Sequence, residues 1–254
     1  MEGLVDMATA NTFSICAVRP ETNEAGVAVA SRCLAVGGLV PFARPGVGAV
    51  ASQASANPRY GPRGLELLSR GLGPAQVVER LTREDLTVTD DSPAAAEPFT
   101  AHGMTTEGVD FARDAEGGRI IWFTSRIRQL GVVDRHGRAA THDGARVDAW
   151  VGSMAGEGFS CQGNLLTGEE VLEAMVEAFQ RERGASMPAQ LLAALQAGDA
   201  AGGDRRGKQA GGILVVRDRG HWTGSDRYVD LRVDDHADPL AELARIMTKA
   251  GLLS

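Results

Sequence analysis

The sequence predicts an α+β fold built on antiparallel sheets, and three observations carry that expectation. Short alternating apolar segments come in pairs separated by a few polar or glycine-rich residues, the mark of hairpins. Helical segments with a single apolar stripe come in pairs between those hairpins. The order is strands, helices, strands, helices, strands, helix, unlike the strict alternation of a doubly wound parallel sheet. The 254 residues are 43% hydrophobic and 23% charged, which is enough apolar material for one sizeable core. No internal repeat or composition break marks a second domain, so residues 12–254 read as one domain.

The elements follow in order. Thr12-Phe-Ser-Ile-Cys-Ala-Val18 alternates and is rich in β-formers, and Ala25-Gly-Val-Ala-Val-Ala30 does the same after a polar turn at Glu21 to Glu24. Together they predict a hairpin. Val47 to Ser52 is a third strand. Arg63 to Arg70 and Pro74 to Leu81 predict two helices with Leu65, Leu68, Val77, Val78 and Leu81 inward, the first stopped by Gly71. Residues 84–106, with Asp90, Asp91, Pro93 and Pro98, read as an exposed loop. Hairpins follow around Glu116-Gly-Gly118 and around Arg135-His-Gly137, then strands at Trp150 to Met154 and Phe159 to Gln162. Thr167-Gly-Glu-Glu170 has capping-box spacing and opens a helix with Val171, Leu172, Met175 and Phe179 inward. Pro188 to Ala197 predicts a second helix, Gly211 to Arg217 and Tyr228 to Val233 two strands, and Asp238-Pro239 the start of a last helix.

Composition narrows function. The net charge of −7 is wrong for a phosphate backbone, so no nucleic-acid partner is expected. No apolar run reaches the ~18 residues of a membrane span, and no secretory signal opens the chain. Three widely spaced cysteines, Cys16, Cys33 and Cys161, fit a reducing, cytoplasmic setting better than a disulfide framework. No metal site and no cofactor is expected: dinucleotide, P-loop, nucleophile-elbow and zinc-helix motifs are all missing from the sequence. Asp234-Asp-His-Ala-Asp238 reads as a strand end and helix cap.

The polar feature that stands out is Ala201-Gly-Gly-Asp-Arg-Arg-Gly-Lys-Gln209, directly before an apolar strand. Asp204, Arg205, Arg206, Lys208 and Gln209 suit a strand mouth only if they pair with one another or bind something. The first case is a solvated turn with an internal ion pair, the second a pocket for an anionic or amide-bearing ligand. Gln162-Gly-Asn164 is either a turn with Asn in the left-handed region or a ligand-reading pair. Gln53 and Asn57 are uncharged donors and acceptors that are costly when buried unpaired. Cys33 beside Arg32 is either a thiol of lowered pKa or a small core residue. Asp230 and Arg232 share one face of a strand, as an ion pair would.

Several segments together resemble one family: Thr12-Phe-Ser-Ile-Cys-Ala17, Gly26-Val-Ala-Val-Ala-Ser-Arg32, Pro45-Gly-Val-Gly-Ala-Val50, Ala56-Asn-Pro-Arg-Tyr-Gly-Pro-Arg-Gly64, Arg128-Gln-Leu-Gly-Val-Val-Asp134, Gln162-Gly-Asn164, Gly202 to Gln209 and Asp230-Leu-Arg-Val-Asp-Asp-His236. The chain resembles the bacterial domain-of-unknown-function family numbered 1028, whose members are similar in fold to N-terminal nucleophile (Ntn) hydrolases. The resemblance implies a four-layer αββα sandwich and leaves residues 87–125 as an insertion. A lid is expected there, with Phe111, Trp122 and Phe123 on its hairpin.

In an Ntn hydrolase the first residue attacks an amide carbonyl, and its own α-amine, of pKa roughly 7.7–8.0, takes the proton. The resemblance puts Thr12 in that role. Eleven residues precede it, so the chemistry requires their removal. The implied catalytic set is Thr12 with Asp204, Lys208 and Asn164, where Asp204 and Lys208 orient the amine. Gln53, Asn57 or Asn164 would donate to the oxyanion. Arg32 or Arg206 would grip a substrate carboxylate, with Gln162 and Gln209 completing the binding set. The expected activity is hydrolysis of a small anionic amide by a cytoplasmic homodimer that has no membrane partner. The alternatives are a non-catalytic metabolite-binding protein and an assembly protein that uses the polar loop as an interface.

Overall fold

A computed structural model describes residues 9–10, 12–85, 87–88, 110–113, 119–123, 125–145, 147 and 150–253. In chain order the strands are β1 Thr9–Ala10, β2 Thr12–Arg19, β3 Glu24–Ser31, β4 Pro41–Arg44, β5 Gly48–Ser55, β6 Thr87–Val88, β7 Asp110–Arg113, β8 Arg119–Phe123, β9 Arg128–Asp134, β10 Ala139–Asp143, β11 Val151–Gly156, β12 Phe159–Asn164, β13 Ala210–Val216 and β14 Arg227–Val233. The helices are α1 Tyr60–Ser69, α2 Pro74–Arg83, α3 Glu170–Arg181, α4 Met187–Ala200 and α5 Pro239–Lys249. The fold is therefore mixed α+β, with every strand pair antiparallel among the described residues.

One large sheet has the order β11-β12-β2-β3-β13-β14. The other runs β1-β5-β9-β10, with β4 also on β5. The alternating segments form these sheets because each strand buries two different faces. Phe13, Ile15, Ala17, Ala28, Ala30, Cys161, Ile213 and Val215 join a cluster with Leu172, Met175, Leu191, Leu195, Leu243 and Met247 of α3, α4 and α5. Val50, Leu130 and Val132 pack with Tyr60, Leu65, Leu68, Val77 and Leu81 of α1 and α2. The remaining faces meet each other: Cys16, Val18, Val27 and Val29 of the larger sheet cluster with Ala49, Ala51 and Val133 of the smaller. Fully burying each large apolar side chain contributes roughly 1.5–3 kcal/mol.

Several local expectations change. The helix after Thr167 starts at Glu170, with Glu169 as its N-cap and no side-chain cap bond, so the capping box does not form. Thr167 N–H instead donates to Gly203 O at 3.2 Å, which ties this segment to the polar loop. Gln162-Gly-Asn164 is not a turn but the end of β12, and the left-handed residue is Leu165, at φ 53°. Within the predicted loop, Thr87–Val88 pairs with β8. The hairpin around Glu116-Gly-Gly118 is present as β7 and β8. The side chains of Phe111, Trp122 and Phe123, where a lid is expected, lie outside the description, as do Asn11 and most of the predicted 84–106 loop.

Candidate functional site

The space between the two sheets changes character along the strands. Around Val18, Val27 and Ala49 it is apolar, whereas at the Thr12 end it is filled by amides and hydroxyls. The period of two explains why. Thr12, Ser14 and Cys16 share one face of β2, and Ser160, Gln162 and Asn164 share one face of β12. Gln129 and Gly131 do the same on β9. Thr12, Ser14, Gln53, Gln129, Ser160, Gln162 and Asn164 are all fully buried.

These side chains form one network across the sheets. Ser14 Oγ donates to Gln53 Oε1 at 2.5 Å, and Gln162 Nε2 donates to Ser14 Oγ at 2.6 Å. Gln53 Nε2 lies within reach of Gln129 Oε1 at 2.7 Å, Thr12 O at 3.2 Å and Gln162 O at 3.3 Å. Asn164 Nδ2 donates to the same Gln129 Oε1 at 2.8 Å. Gln129 Nε2 faces Asp143 Oδ1 at 2.7 Å, Gly163 O at 2.9 Å and Gly152 O at 3.0 Å. Within this network, among the described residues, Ser160 Oγ, Gln162 Oε1 and Asn164 Oδ1 are buried without a hydrogen-bond partner. Each such atom costs roughly 1–3 kcal/mol.

Gly131 makes room for this network. A Cβ there would lie 2.1 Å from Gln162 Oε1 and 2.8 Å from Ser160 Oγ. A side chain at this position would force the Gln162 carboxamide to move.

Thr12 heads β2 and pairs with Ser31 of β3, and its Oγ1 donates to Ser31 Oγ at 3.2 Å. Ser31 Oγ also accepts from Cys33 N–H at 2.9 Å. Just upstream, β1 lies in the other sheet, with Thr9 opposite Ser55 and Ala10 opposite Ala54. The chain thus crosses from one sheet to the other at the polar end of the gap, immediately before Thr12.

The glycine-rich loop sits at the same end. Gln209 N–H donates to Ser31 O at 2.8 Å, and Arg32 N–H donates to Asp204 Oδ2 at 3.3 Å. The loop needs its glycines: Gly202, Gly203 and Gly207 have φ of 125°, 53° and 94°. Asp204 is buried and accepts a forked pair from Arg206, Nε at 3.1 Å and NH2 at 2.7 Å, while Arg32 NH1 donates to Arg206 O at 3.2 Å. The internal ion pair foreseen for this loop is therefore real, and the exposed Arg32 guanidinium is tied to the same loop through the Arg206 carbonyl.

Other predicted residues go elsewhere. Lys208 bridges Asp199 of α4 and Asp238, the N-cap of α5, the latter at 3.0 Å. Partial desolvation pulls its pKa down, but the two carboxylates more than offset this and the net shift is upward. The Lys208 ammonium, followed by the Ala241 amide, holds Asp238 below the usual carboxylate range. Gln209 Nε2 donates to Asp235 at 3.0 Å. Asp230 and Arg232 pair at 2.8 Å. Asn57 Nδ2 donates to Asp85 at 2.7 Å on the helix side of β5. There Arg128 Nε meets Asp85 at 3.0 Å, and Arg128 NH1 donates to Ser55 O. Burial, then the Asp85 carboxylate, pushes the neighbouring Tyr60 phenol up.

The cysteines are buried. Burial pushes the Cys16 thiol up to about 12, and burial also raises Cys161. Cys33 is core-like, its Sγ donating to Leu34 O at 3.5 Å. Since thiolate is the reactive form, iodoacetamide at about pH 8 should leave Cys16 and Cys161 unmodified in native protein and label both in denaturant. Peptide mass mapping reads the difference.

The sequence reading missed Ser14, Ser31, Gln129, Ser160 and Asp143. A signal for three of them was present: Ser14, Gln129 and Ser160 are polar residues at the parity of a strand's buried face, beside apolar neighbours.

The model of the family of unknown function DUF1028 matches residues 12–90 and 123–243. The crystal structure of protein SPO2555 from Silicibacter pomeroyi, described under the same family, is similar with a TM-score of 0.71 at 29% identity, covering 94% of this chain and 88% of that one. No curated protein matches this chain. With the family model spanning well over half of the sequence, the chain belongs to the family of unknown function DUF1028.

Proposed function

We propose that the chain is an Ntn-type amidohydrolase with a four-layer αββα sandwich, acting on a small anionic amide through Thr12. One observation carries this reading: a threonine hydroxyl heads a central strand at the polar end of the inter-sheet space, beside Ser31 and Gln53. The family match beginning at Thr12 supports it. So do the contacts of α1 and α2 with one large sheet and of α3, α4 and α5 with the other.

The chemistry starts with hydrolysis of the Asn11–Thr12 bond. Water adds across it, leaving a carboxylate on Asn11 and an amine on Thr12. Thr12 Oγ1 then attacks the substrate carbonyl while the amine takes its proton. The C–N bond breaks as that proton passes to the leaving nitrogen, and water hydrolyses the resulting ester to regenerate the threonine. Asp204 and Arg206 shape the loop, and Arg32 grips the substrate carboxylate. Gln53 and Gln162 belong to the binding set, whereas Gln209 and Asn57 are held away from it by Asp235 and Asp85. The setting is cytoplasmic and the working form a homodimer.

The test is amide turnover by the mature chain on matched anionic and neutral amides. Arg32→Gln should raise KM for the anionic member by about tenfold or more, the loss of one charge-assisted bond, and leave the neutral member unchanged. Equal effects on both would remove Arg32 from recognition. A second reading rests on the uncut chain: there the Thr12 nitrogen is an amide and cannot be a base, and Arg32 with the Asp204–Arg206 pair remains a non-catalytic site for a metabolite anion. Anion binding with no turnover by any form of the chain supports this second reading.

A further inference from the structure

Asn164 Oδ1 is a fully buried acceptor with no partner, while its Nδ2 is already bonded to Gln129 Oε1 at 2.8 Å. The other amide donors of the cluster are similarly engaged: Gln53 Nε2 serves three acceptors with two hydrogens, and Gln129 Nε2 serves three more. What Asn164 Oδ1 lacks is a donor. Its position says which one. β12 pairs with β2 up to Gly163 opposite Phe13, so Asn164 stands one register step further, beside Thr12 and on the same face of the sheet. Ser31 flanks Thr12 on the other side.

We infer that Asn164 Oδ1 receives the α-amine of Thr12 once the Asn11–Thr12 bond opens, so that Asn164 aims the amine as an acceptor and is not the oxyanion donor its residue type first implies. This rests on the Thr12 reading above. An amine N–H directed at Asn164 Oδ1 fixes the nitrogen's rotation and leaves its lone pair for the Thr12 hydroxyl. The groups facing Thr12 from β3, β5 and β12 are the neutral Ser31, Gln53 and Asn164, with the neutral Gln129 of β9 behind them. The nearest charges along the hydrogen-bond paths are Asp204 with Arg206 and Arg32 on the loop, and Asp143 beyond Gln129.

The test follows the Thr12 13Cα shift through a pH titration by NMR, in the matured chain or, where the full chain stays whole, in one expressed from Thr12. Asn164→Asp should raise the amine's titration midpoint by about one pH unit or more, as a carboxylate at contact does. Asn164→Ala and Asn164→Ser should lower it, by loss of the acceptor. Thermal melting accompanies each variant, and Asn164→Ser serves if Asn164→Ala does not fold. Identical midpoints in wild type and variants overturn the inference. So does a loss of kcat in Asn164→Ala with the amine midpoint unmoved, which is the signature of an oxyanion donor. A folded chain whose amine titration depends on Asn164, yet which cleaves no amide, upholds the inference and removes only the hydrolase. A chain from Thr12 that does not fold removes both.

Discussion

Thr12→Ala should abolish amide hydrolysis, lowering kcat by about 10⁴-fold or more, as loss of a nucleophile does in other acyl-transfer enzymes. The fold should barely register the change. The hydroxyl makes one hydrogen bond, to Ser31 Oγ at 3.2 Å, so the stability cost is about 1 kcal/mol. Thr12→Ser keeps a hydroxyl on the same carbon and should retain measurable turnover. Single-turnover kinetics with thermal melts of all three proteins checks this. An alanine variant as active as wild type removes Thr12 from the chemistry, while one inactive only because it is unfolded contradicts the local picture of the site.

Asp85→Ala should destabilise the protein by about 3–5 kcal/mol, because it removes the carboxylate that faces a buried guanidinium. Asp85 and Arg128 are 5% exposed each and meet at 3.0 Å. Asp85 also accepts from Asn57, and Arg128 holds the Ser55 carbonyl at the end of β5. That end carries Gln53 and Ala54, the latter in the left-handed region at φ 64°. The pair therefore fixes the strand from which Gln53 reaches Thr12. The double change Asp85→Leu with Arg128→Met removes both charges and should recover much of the loss. Urea unfolding of the single and double variants gives the comparison. A double variant no more stable than Asp85→Ala would mean that the polar contacts to Asn57 and Ser55 outweigh the ion pair.

Much of this architecture was legible in the order of residues. The Thr12 to Ser31 hairpin, the α1–α2 pair stopped at Gly71 and the Asp238 cap all follow from alternation, stripe and cap chemistry. Two kinds of feature were not. Local signals lose to tertiary contacts: Thr167 has the spacing of a cap, yet its amide bonds the Gly203 carbonyl and the helix starts later. Long-range pairing is silent in a single chain read linearly. Lys208 lies one residue from Gln209 and four from Asp204, but it finds its partners on α4 and at the head of α5. Gln129 was passed over inside an apolar strand, although it binds the amides of both sheets together. Gln53, Gln162 and Asn164 stood out as polar groups at strand ends, and the structure joins them through Ser14 and Gln129.

The most direct measurement is the intact mass and N-terminal sequence of protein purified from the full-length gene and shown to hydrolyse an amide. The account predicts a chain that begins at Thr12 and has lost the preceding eleven residues. Full activity in a chain whose Thr12 is still joined to Asn11 would contradict it.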